Sequence, residues 1–188
     1  MTKERCPWAK GELDILYHDQ EWGRPEHDDR KLFEMLILEG MQAGLSWSSI
    51  LKKREAMRAA FDGFDPDKLS AYDEKKFEEL MANPDILRNR AKIRALATNA
   101  QSYLAVVREF GSFERYLWGF VGGKPIVNKW KSVTEIPAET ELSATLSRDL
   151  KKRGFKFVGP VICYAYMQAV GLVNDHLVTC PGHKASKG

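Results

Sequence analysis

The sequence predicts an all-α protein. Three observations support this fold class: apolar residues recur at helical spacing, capping residues precede those runs, and no alternating strand pattern persists. The chain has 188 residues, enough for one domain of ordinary size or for two small lobes that share a cleft. Because the sequence contains no internal repeat or obvious linker, we treat residues 1–188 as one unit.

The individual helices are indicated by caps, proline starts and glycine stops. The first four are a helix capped by Asp28 or Asp29 that ends near Gly40, a helix over residues 48–60, a short helix that begins at Pro66, and a helix from Asp73 that stops before Pro84. The next two are a long helix over residues 90–110 and a helix capped by Ser112 that runs through Phe120. The last two are a helix capped by Ser143 that stops at Gly154 and a helix over residues 160–171. Residues 122–137 are punctuated by glycine and proline and are predicted to be a loop.

Composition excludes several classes of protein. The hydrophobic fraction is 44% and the charged fraction 29%, which excludes disorder as the main state. Lysine and arginine number 29 against 26 aspartates and glutamates, giving a net charge of +3. This charge permits a polyanionic partner but does not demonstrate one, so a nucleic-acid site would need local clustering.

Cysteine use and hydropathy indicate a cytoplasmic protein without a membrane segment. Three cysteines, an odd number, argue against a secreted disulfide scaffold. The first six residues are charged and no apolar segment follows them, so we expect no signal peptide. Residues 157–174 carry no formal charge, but their solid apolar part is about half of the ~20 residues that a membrane span requires.

One segment near the C-terminal end predicts a helix, a tight hairpin bounded by Gly154 and Gly159, and a second helix. Glycine lets a hairpin backbone approach a ligand closely, and the N–H groups of the hairpin and of the next helix start can form an anion site. The cations Lys151, Lys152, Arg153 and Lys156 flank it, which suits a nucleic-acid phosphate. The alternative is an ordinary helix connection with a solvated basic end.

Two cysteines and two histidines lie near opposite ends of the chain. Cys6 and His18 are close to one end, while His176 and Cys180, four residues apart, would share one side of a helical turn. Such a set can form a closed tetrahedral Zn²⁺ site, which is structural because no position remains for water. The metal would clip the two ends together. The alternatives are an unpaired Cys180, a hydrogen-bonded core His18, or His183 as a competing ligand.

Aromatic residues and one acid cluster in the first 47 residues. Glu39 lies in an apolar run of the sequence. Trp8, Tyr17 and Trp22 precede this run, and Trp47 follows it. A carboxylate in that company must find partners or serve a site. Aromatic faces around an acid suit a flat cationic ring, because they add stacking and cation–π attraction to charge-assisted hydrogen bonds. The alternative is that the tryptophans fill the core and Glu39 lies on a helix surface.

Five segments together resemble the DNA-3-methyladenine glycosylase I family. They are YHDQEWG at 17–23, LFEM at 32–35 with LEGMQAGLSW at 38–47, LKKRE at 51–55, KKRGFKFVG at 151–159 and GLVNDH at 171–176. The resemblance covers nearly the whole chain in order. It implies the helix-hairpin-helix DNA glycosylase superfamily, an all-α fold with two helical lobes around a cleft, and termini clipped by zinc. The implied lobes are residues 1–60 plus 172–188 and residues 61–171.

The resemblance also implies roles for individual residues. Glu39 matches the acid that contacts the methylated base, and we place it in the catalytic set while leaving open whether it is a base or a recognition group. Trp47 matches the stacking aromatic, Tyr17 the hydrogen-bonding tyrosine, and Trp8 and Trp22 the other pocket aromatics. Leu45 matches the residue that fills the gap left in the duplex. The implied DNA contacts are Gln42, Leu45, Gly154, Lys156 and Gly159, and the implied ligands of one structural Zn²⁺ are Cys6, His18, His176 and Cys180.

The implied reaction is hydrolysis of the N-glycosidic bond of 3-methyladenine in double-stranded DNA. The damaged base would be flipped out of the stack and released, leaving an abasic site. Because no lysine stands in the pocket motifs, we expect no lyase step through a Schiff base. We expect a monomer. Two rival functions remain: a non-catalytic DNA-binding module, which would leave Glu39 without a role, and a zinc hydrolase, which would need an open metal position.

Overall fold

The structure, a computed structural model, describes residues 4–185 and is mainly helical, as the sequence predicts. Its helices are α1 (Glu12–Gln20), α2 (Asp29–Gln42), α3 (Trp47–Ala60), α4 (Pro66–Ser70), α5 (Glu74–Ala82), α6 (Arg90–Phe110), α7 (Phe113–Gly119), α8 (Glu141–Lys152), α9 (Pro160–Ala169) and α10 (Gly182–Ala185). Two short strands, β1 (Ile126–Val127) and β2 (Val173–Asn174), pair in parallel. The predicted loop over residues 122–137 therefore also contains β1 and a 3₁₀ turn, Val133–Glu135.

Helix α2 lies at the centre of the fold. Its residues 32–41 are all buried, and it packs against α3, α6, α7 and α9. A helix that is apolar on most sides is suited to such an interior position. Two acids interrupt its apolar surface, Glu34 and Glu39, which are 7% and 3% exposed. The central helix therefore carries two carboxyl groups into a region where charges need partners.

Helix α1 is an element that the sequence patterns did not predict. It inverts the usual amphipathic pattern, because Leu13 and Leu16 are exposed while Asp14, Tyr17 and His18 are buried. Asp14 accepts hydrogen bonds of 2.8 and 2.9 Å from a serine hydroxyl of α3, which joins the two helices. The polar face of α1 is therefore the packed face.

Several helix boundaries differ from the sequence expectation, among them the end of α9, which lies at Ala169 rather than at Gly171. Helix α2 continues to Gln42, two residues beyond Gly40. The cap of α8 is Thr140 rather than Ser143: the two residues form a capping box in which each side-chain oxygen accepts the other residue's backbone N–H, at 2.8 and 3.1 Å. Ser143 is thus the third residue of the helix and not its cap.

Within residues 4–185, no helix combines the length and the apolar character needed to cross a bilayer.

Candidate active site and metal cluster

A cavity of about 490 Å³ lies between α1, α2, α3, α9 and the segment that follows β1. Its lining includes the five residues that the sequence analysis assigns to the base pocket, Trp8, Tyr17, Trp22, Glu39 and Trp47, together with the implied DNA contact Gln42. Most of its surface is apolar, which is typical of a site for a small organic ligand. The structure therefore brings the predicted aromatic and carboxyl groups together around one space.

The aromatic rings of the cavity touch one another at an angle. Tyr17 and Trp47 have ring centroids 5.3 Å apart with an interplanar angle of 46°. Trp8 lies 6.3 Å from Tyr17 and 5.1 Å from Trp22, with interplanar angles of 58° and 72°. Tilted and edge-on contacts are favourable for aromatic pairs and leave ring faces for a planar ligand.

The two acids of α2 have opposite surroundings. Glu34 accepts hydrogen bonds from Arg54 at 2.8 Å and Arg58 at 2.9 Å, so its charge is neutralised inside the protein. Glu39 has no such partner: among the described residues, its Oε2 atom and the indole Nε1 of Trp47 are the buried side-chain polar atoms without a hydrogen bond. Buried polar groups are rarely left unpaired, so both atoms indicate a ligand that satisfies them.

Burial controls the protonation of the cavity. Loss of hydration raises the pKa of Glu39 from 4.5 to about 8, so its carboxyl group is mainly protonated at neutral pH. Burial, and then the nearby Glu39, raises the pKa of Tyr17 well above its ordinary value, so its hydroxyl stays protonated. A cation entering the cavity would favour the ionised form of Glu39, because an opposite charge nearby lowers the pKa of an acid.

The raised pKa of Glu39 predicts that stability falls as the pH rises from mildly acidic towards pH 8. Between the unfolded value of 4.5 and the folded value of about 8, the folded chain binds one more proton than the unfolded chain, so stability falls as pH rises. From about pH 5.5 to pH 8 the loss from this group is roughly 3 kcal/mol. Urea unfolding of the wild type and Glu39→Gln over this range should show a steeper decline for the wild type; equal slopes would place the carboxyl in water.

The turn after α2 presents an apolar side chain to solvent. Gly44 has a φ of 82°, in the left-handed region that glycine tolerates. The amide of Leu45 donates to the carbonyl of Gln42 at 2.6 Å, which closes the turn. Leu45 is 44% exposed, although a leucine gains free energy by burial. The gap turn, residues 43–45, therefore holds an exposed apolar tip three residues beyond Gln42, which lines the cavity.

The hairpin, residues 154–159, joins α8 to α9 at the predicted place. Gly154 and Phe157 have φ values of 98° and 57°, so the turn is tight. Gly159 caps α9 without a side-chain hydrogen bond, and the first N–H groups of that helix need other partners. Lys156 is exposed on the hairpin. These features suit an anion, as the sequence predicts.

The basic surface near the hairpin is smaller than the sequence suggests. Arg153 donates to Glu109 at 2.7 Å and to Asp149 at 2.7 Å, so it is tied to α6 and α8 rather than directed at a ligand. The lysines near the hairpin that remain exposed are Lys151, Lys152 and Lys156.

Four buried side chains from the two ends of the chain meet at one point. Cys6, His18, His176 and Cys180 each offer a ligand atom, and these atoms lie within 4.8 Å of one another. Cys180 Sγ lies 3.4 Å from His18 Nε2 and 3.3 Å from His176 Nδ1, and Cys6 Sγ lies 3.7 Å from His176 Nδ1. Ligands on a tetrahedral Zn²⁺ ion would be about 3.3–3.8 Å apart. The three separations above lie in this range, so the four residues could hold such an ion.

In both His18 and His176, the ring nitrogen that faces away from the cysteines forms a hydrogen bond. His18 Nδ1 donates to Asp19 at 2.8 Å, and His176 Nε2 donates to the carbonyl of Trp22 at 2.9 Å. This leaves His18 Nε2 and His176 Nδ1 as the ligand atoms, in the arrangement that orients histidines at metal sites. The competing candidate His183 lies outside the cluster, with its Nε2 donating to the carbonyl of Asn128 at 2.9 Å.

Sequence reasoning missed part of the cavity wall. This part is formed by Val133, Ile136, Val161, Tyr164, Gln168 and Asp175. Asp175 organises it by accepting hydrogen bonds from Asn128, Trp130, Tyr164 and Gln168. These residues come from three separated segments without a shared motif, so only the fold brings them together. Asp175 is fully buried among its donors.

Comparison with known proteins identifies a family over most of the chain. Residues 8–183 match the family model described as methyladenine glycosylase. DNA-3-methyladenine glycosylase 1 of Escherichia coli (strain K12) is 51% identical over 185 residues, covering 96% of this chain and 99% of its own. DNA-3-methyladenine glycosylase of Haemophilus influenzae is 50% identical over 179 residues, covering 94% of this chain and 96% of its own.

Solved structures agree with these matches. A crystal structure of a 3-methyladenine DNA glycosylase I has a TM-score of 0.92 and 51% identity, covering 94% of this chain and 98% of its own. The 3-methyladenine DNA glycosylase I of Staphylococcus aureus has a TM-score of 0.93 and 38% identity, covering 97% of this chain and 98% of its own. A variant 3-methyladenine DNA glycosylase I with the same TM-score and identity was solved in complex with 3-methyladenine.

Proposed function

Because this chain belongs to the methyladenine glycosylase family, we propose that it is a DNA repair hydrolase that removes 3-methyladenine from alkylated double-stranded DNA. The products are free 3-methyladenine and an abasic site. The observation that carries this proposal is that the buried Oε2 atom of Glu39 and the indole N–H of Trp47 lack hydrogen-bond partners and both residues line one cavity walled by aromatic rings. A flat, cationic base would donate its N–H groups to the Glu39 carboxylate, and a ring nitrogen of the base could accept the indole N–H of Trp47.

The substrate's own charge explains why the site needs little acid catalysis. Methylation at N3 makes the adenine cationic, so breaking the N-glycosidic bond sends the bonding electron pair onto a base that becomes neutral. Water then bonds to the sugar carbon and loses a proton. The ionised Glu39 would stabilise the cationic base by hydrogen bonds, with Tyr17 and Trp47 fixing its plane. Adenine without the methyl group would give the buried carboxyl no positive charge to pair with.

Access to the cavity requires that the base leave the helical stack. Base flipping brings the damaged nucleotide into the pocket, and a damaged base costs less to extrude. Leu45, exposed on the gap turn, would fill the space left behind, with Gln42 between it and the pocket. Gly154, Lys156 and Gly159 would hold a backbone phosphate at the hairpin, in the manner of the helix-hairpin-helix superfamily.

Lys156→Glu is expected to weaken binding to methylated and undamaged duplexes by about the same factor. Phosphate contacts carry no sequence or damage information, so their loss acts on every duplex equally. Fluorescence anisotropy with both duplexes would measure this, with Lys75→Glu, the same charge change at an exposed position of α5, as the control. A loss confined to the methylated duplex would contradict the phosphate role.

We further propose that the cluster of Cys6, His18, His176 and Cys180 holds one Zn²⁺ ion. Two thiolates and two neutral imidazoles match the ligands of closed structural zinc sites. The ion would join the segment before α1 to the segment before α10, and its role would be to stabilise the fold, since the four protein ligands leave no position for a catalytic water. Base recognition remains the task of the neighbouring cavity, which Cys6 also lines.

The enzyme is proposed to stop after base removal. A lyase step would need an amine that attacks the sugar, and no lysine lines the cavity among residues 4–185. The monomeric state, the cytoplasmic location and the division into lobes 1–60 plus 172–188 and 61–171 stay predictions.

The function can be tested directly with duplex DNA treated with a methylating agent. Chromatography of the soluble bases should show release of 3-methyladenine, and the DNA strands should remain intact until the abasic sites are cleaved by alkali. Release of no base would contradict the proposal and favour a DNA-binding module. Strand cleavage by the protein alone would contradict the monofunctional mechanism.

A further inference from the structure

Helix α6 buries a row of polar side chains on one face. Lys92, Asn99 and Ser102 are 8%, 6% and 8% exposed. Spacings of seven and three residues place them on the same side of a helix, two turns and then one turn apart. Buried polar groups need partners. The partners of Lys92 and Asn99 are backbone groups at the gap turn and at the hairpin, the two elements proposed to contact DNA.

Lys92 fixes the gap turn. Its Nζ atom donates to the carbonyl of Met41 and to the carbonyl of Ala43, both at 2.9 Å. These carbonyls lie at the C-terminal end of α2, where helix carbonyls lack internal partners and a positive charge is favourable. Helix α2 has no basic residue in its own last turn. Lys92 therefore supplies from α6 the cation that holds the turn leading into Leu45.

Asn99 fixes the hairpin. Its Oδ1 accepts the backbone N–H of Lys156 at 2.7 Å, and its Nδ2 donates to the carbonyl of the same residue at 3.2 Å. Both backbone groups of the proposed phosphate-binding residue are thus held by one side chain. The next residue, Phe157, has a φ of 57° and packs on α2 so closely that a Cβ at Gly40 would lie 3.3 Å from its carbonyl oxygen.

We propose that Lys92 and Asn99 are positioning residues that set the separation between the gap turn and the hairpin. Seven residues of α6 correspond to about 10 Å along the helix axis. The side chains hold backbone atoms, so the two loops keep a fixed offset while their own tips, Leu45 and Lys156, stay exposed for DNA. The proposal rests on the proposed function, because it assigns each loop a separate part in handling the duplex.

The two residues should have separable effects. Lys92→Met removes the donors that hold the gap turn, so the single-turnover rate of 3-methyladenine excision should fall by about tenfold or more, while affinity for undamaged duplex changes by less than about twofold. Asn99→Leu loosens the hairpin, so the dissociation constant for undamaged duplex and the KM for methylated duplex should rise by about five- to tenfold, with kcat within about twofold. Both variants should bind free 3-methyladenine with wild-type affinity.

Three further comparisons keep the proposal open to refutation. Lys92→Arg retains donors and should restore most of the excision rate, whereas Lys75→Met, at an exposed position, should change nothing. If Lys92→Met does not fold, Lys92→Gln takes its place, because it stays polar but removes the charge and is shorter than lysine. Equal losses of rate and duplex affinity in both variants, or a shared loss of free-base binding, would indicate general packing and overturn the proposal.

The design also separates this proposal from the proposed function. If the wild type releases no 3-methyladenine, the proposed function fails, but binding to undamaged duplex still tests Asn99. Wild-type duplex affinity in Asn99→Leu would overturn the positioning role in either case.

Discussion

Glu39→Gln is expected to weaken binding of free 3-methyladenine by roughly ten- to a hundredfold. The change preserves the size of the side chain and one acceptor oxygen, but it removes the negative charge that the cavity can develop. Losing a charge-assisted hydrogen bond costs about 1.5–3 kcal/mol, which gives that range of affinities. The amide also places a donor where the base presents its own N–H groups. Calorimetric titration of the free base into the wild type and the variant measures the effect.

The matched control for this experiment removes the same carboxylate charge at a position outside the cavity. Glu78→Gln alters an exposed carboxyl of α5 and should leave base affinity unchanged. Trp47→Ala should weaken the base through lost stacking, and affinity of both Glu39→Gln and Trp47→Ala for undamaged duplex should barely change, because phosphate contacts dominate that binding. Unaltered base affinity in Glu39→Gln would mean that the base lies elsewhere.

Cys180→Ser is expected to destabilise the fold severely. The binding free energy of a structural Zn²⁺ ion, about 10–16 kcal/mol, is as large as the net stability of a typical domain, about 5–15 kcal/mol. Losing one of four ligands should lower the melting temperature by about 10 °C or more and abolish tight metal binding. Differential scanning calorimetry and metal analysis of the purified protein measure both effects.

Cys163→Ser is the matched control for the metal prediction. Cys163 is also buried, but its thiol donates to the carbonyl of Val158 at 3.3 Å and lies outside the cluster. This variant should keep about one Zn²⁺ ion per chain. Wild-type protein without tightly bound metal, or equal metal content in Cys180→Ser and the wild type, would show that the four residues do not form a zinc site.

Long, regular segments of the fold could be predicted from the sequence. Helix α6 shows a sustained apolar stripe, an N-cap and a terminal glycine with a φ of 88°, so both ends were correct. Helix α1 could not be found in this way, because it buries Asp14, Tyr17 and His18 instead of its leucines. When a helix packs a polar face against the protein, its apolar residues no longer mark the buried side, so the spacing of apolar residues does not reveal the helix.

The pocket residues of the candidate site were assigned through the resemblance to a known family. The two cysteines and two histidines suggested a zinc site by their own chemistry, but the residues alone left open an unpaired Cys180, a core His18 or His183 as a competing ligand. The difference between Glu34 and Glu39 was not predictable: both are acids in one apolar helix, and only the fold gives Glu34 two arginines and Glu39 none. The same holds for Lys92, whose carbonyl partners lie about fifty residues away.

The central claim is that a buried, neutral carboxyl at Glu39 becomes ionised to hold a cationic base. Carbon-13 NMR of the glutamate side-chain carboxyl carbons, assigned with Glu39→Gln, measures this charge directly. The free base is neutral, so it becomes the cation only by taking up the carboxyl proton of Glu39 when it binds. We predict that Glu39 in the free protein titrates near pH 8 and that saturating 3-methyladenine, held as this protonated cation, moves the midpoint to a much lower pH. A midpoint in the ordinary acidic range without ligand, or one that the base does not move, would contradict the account.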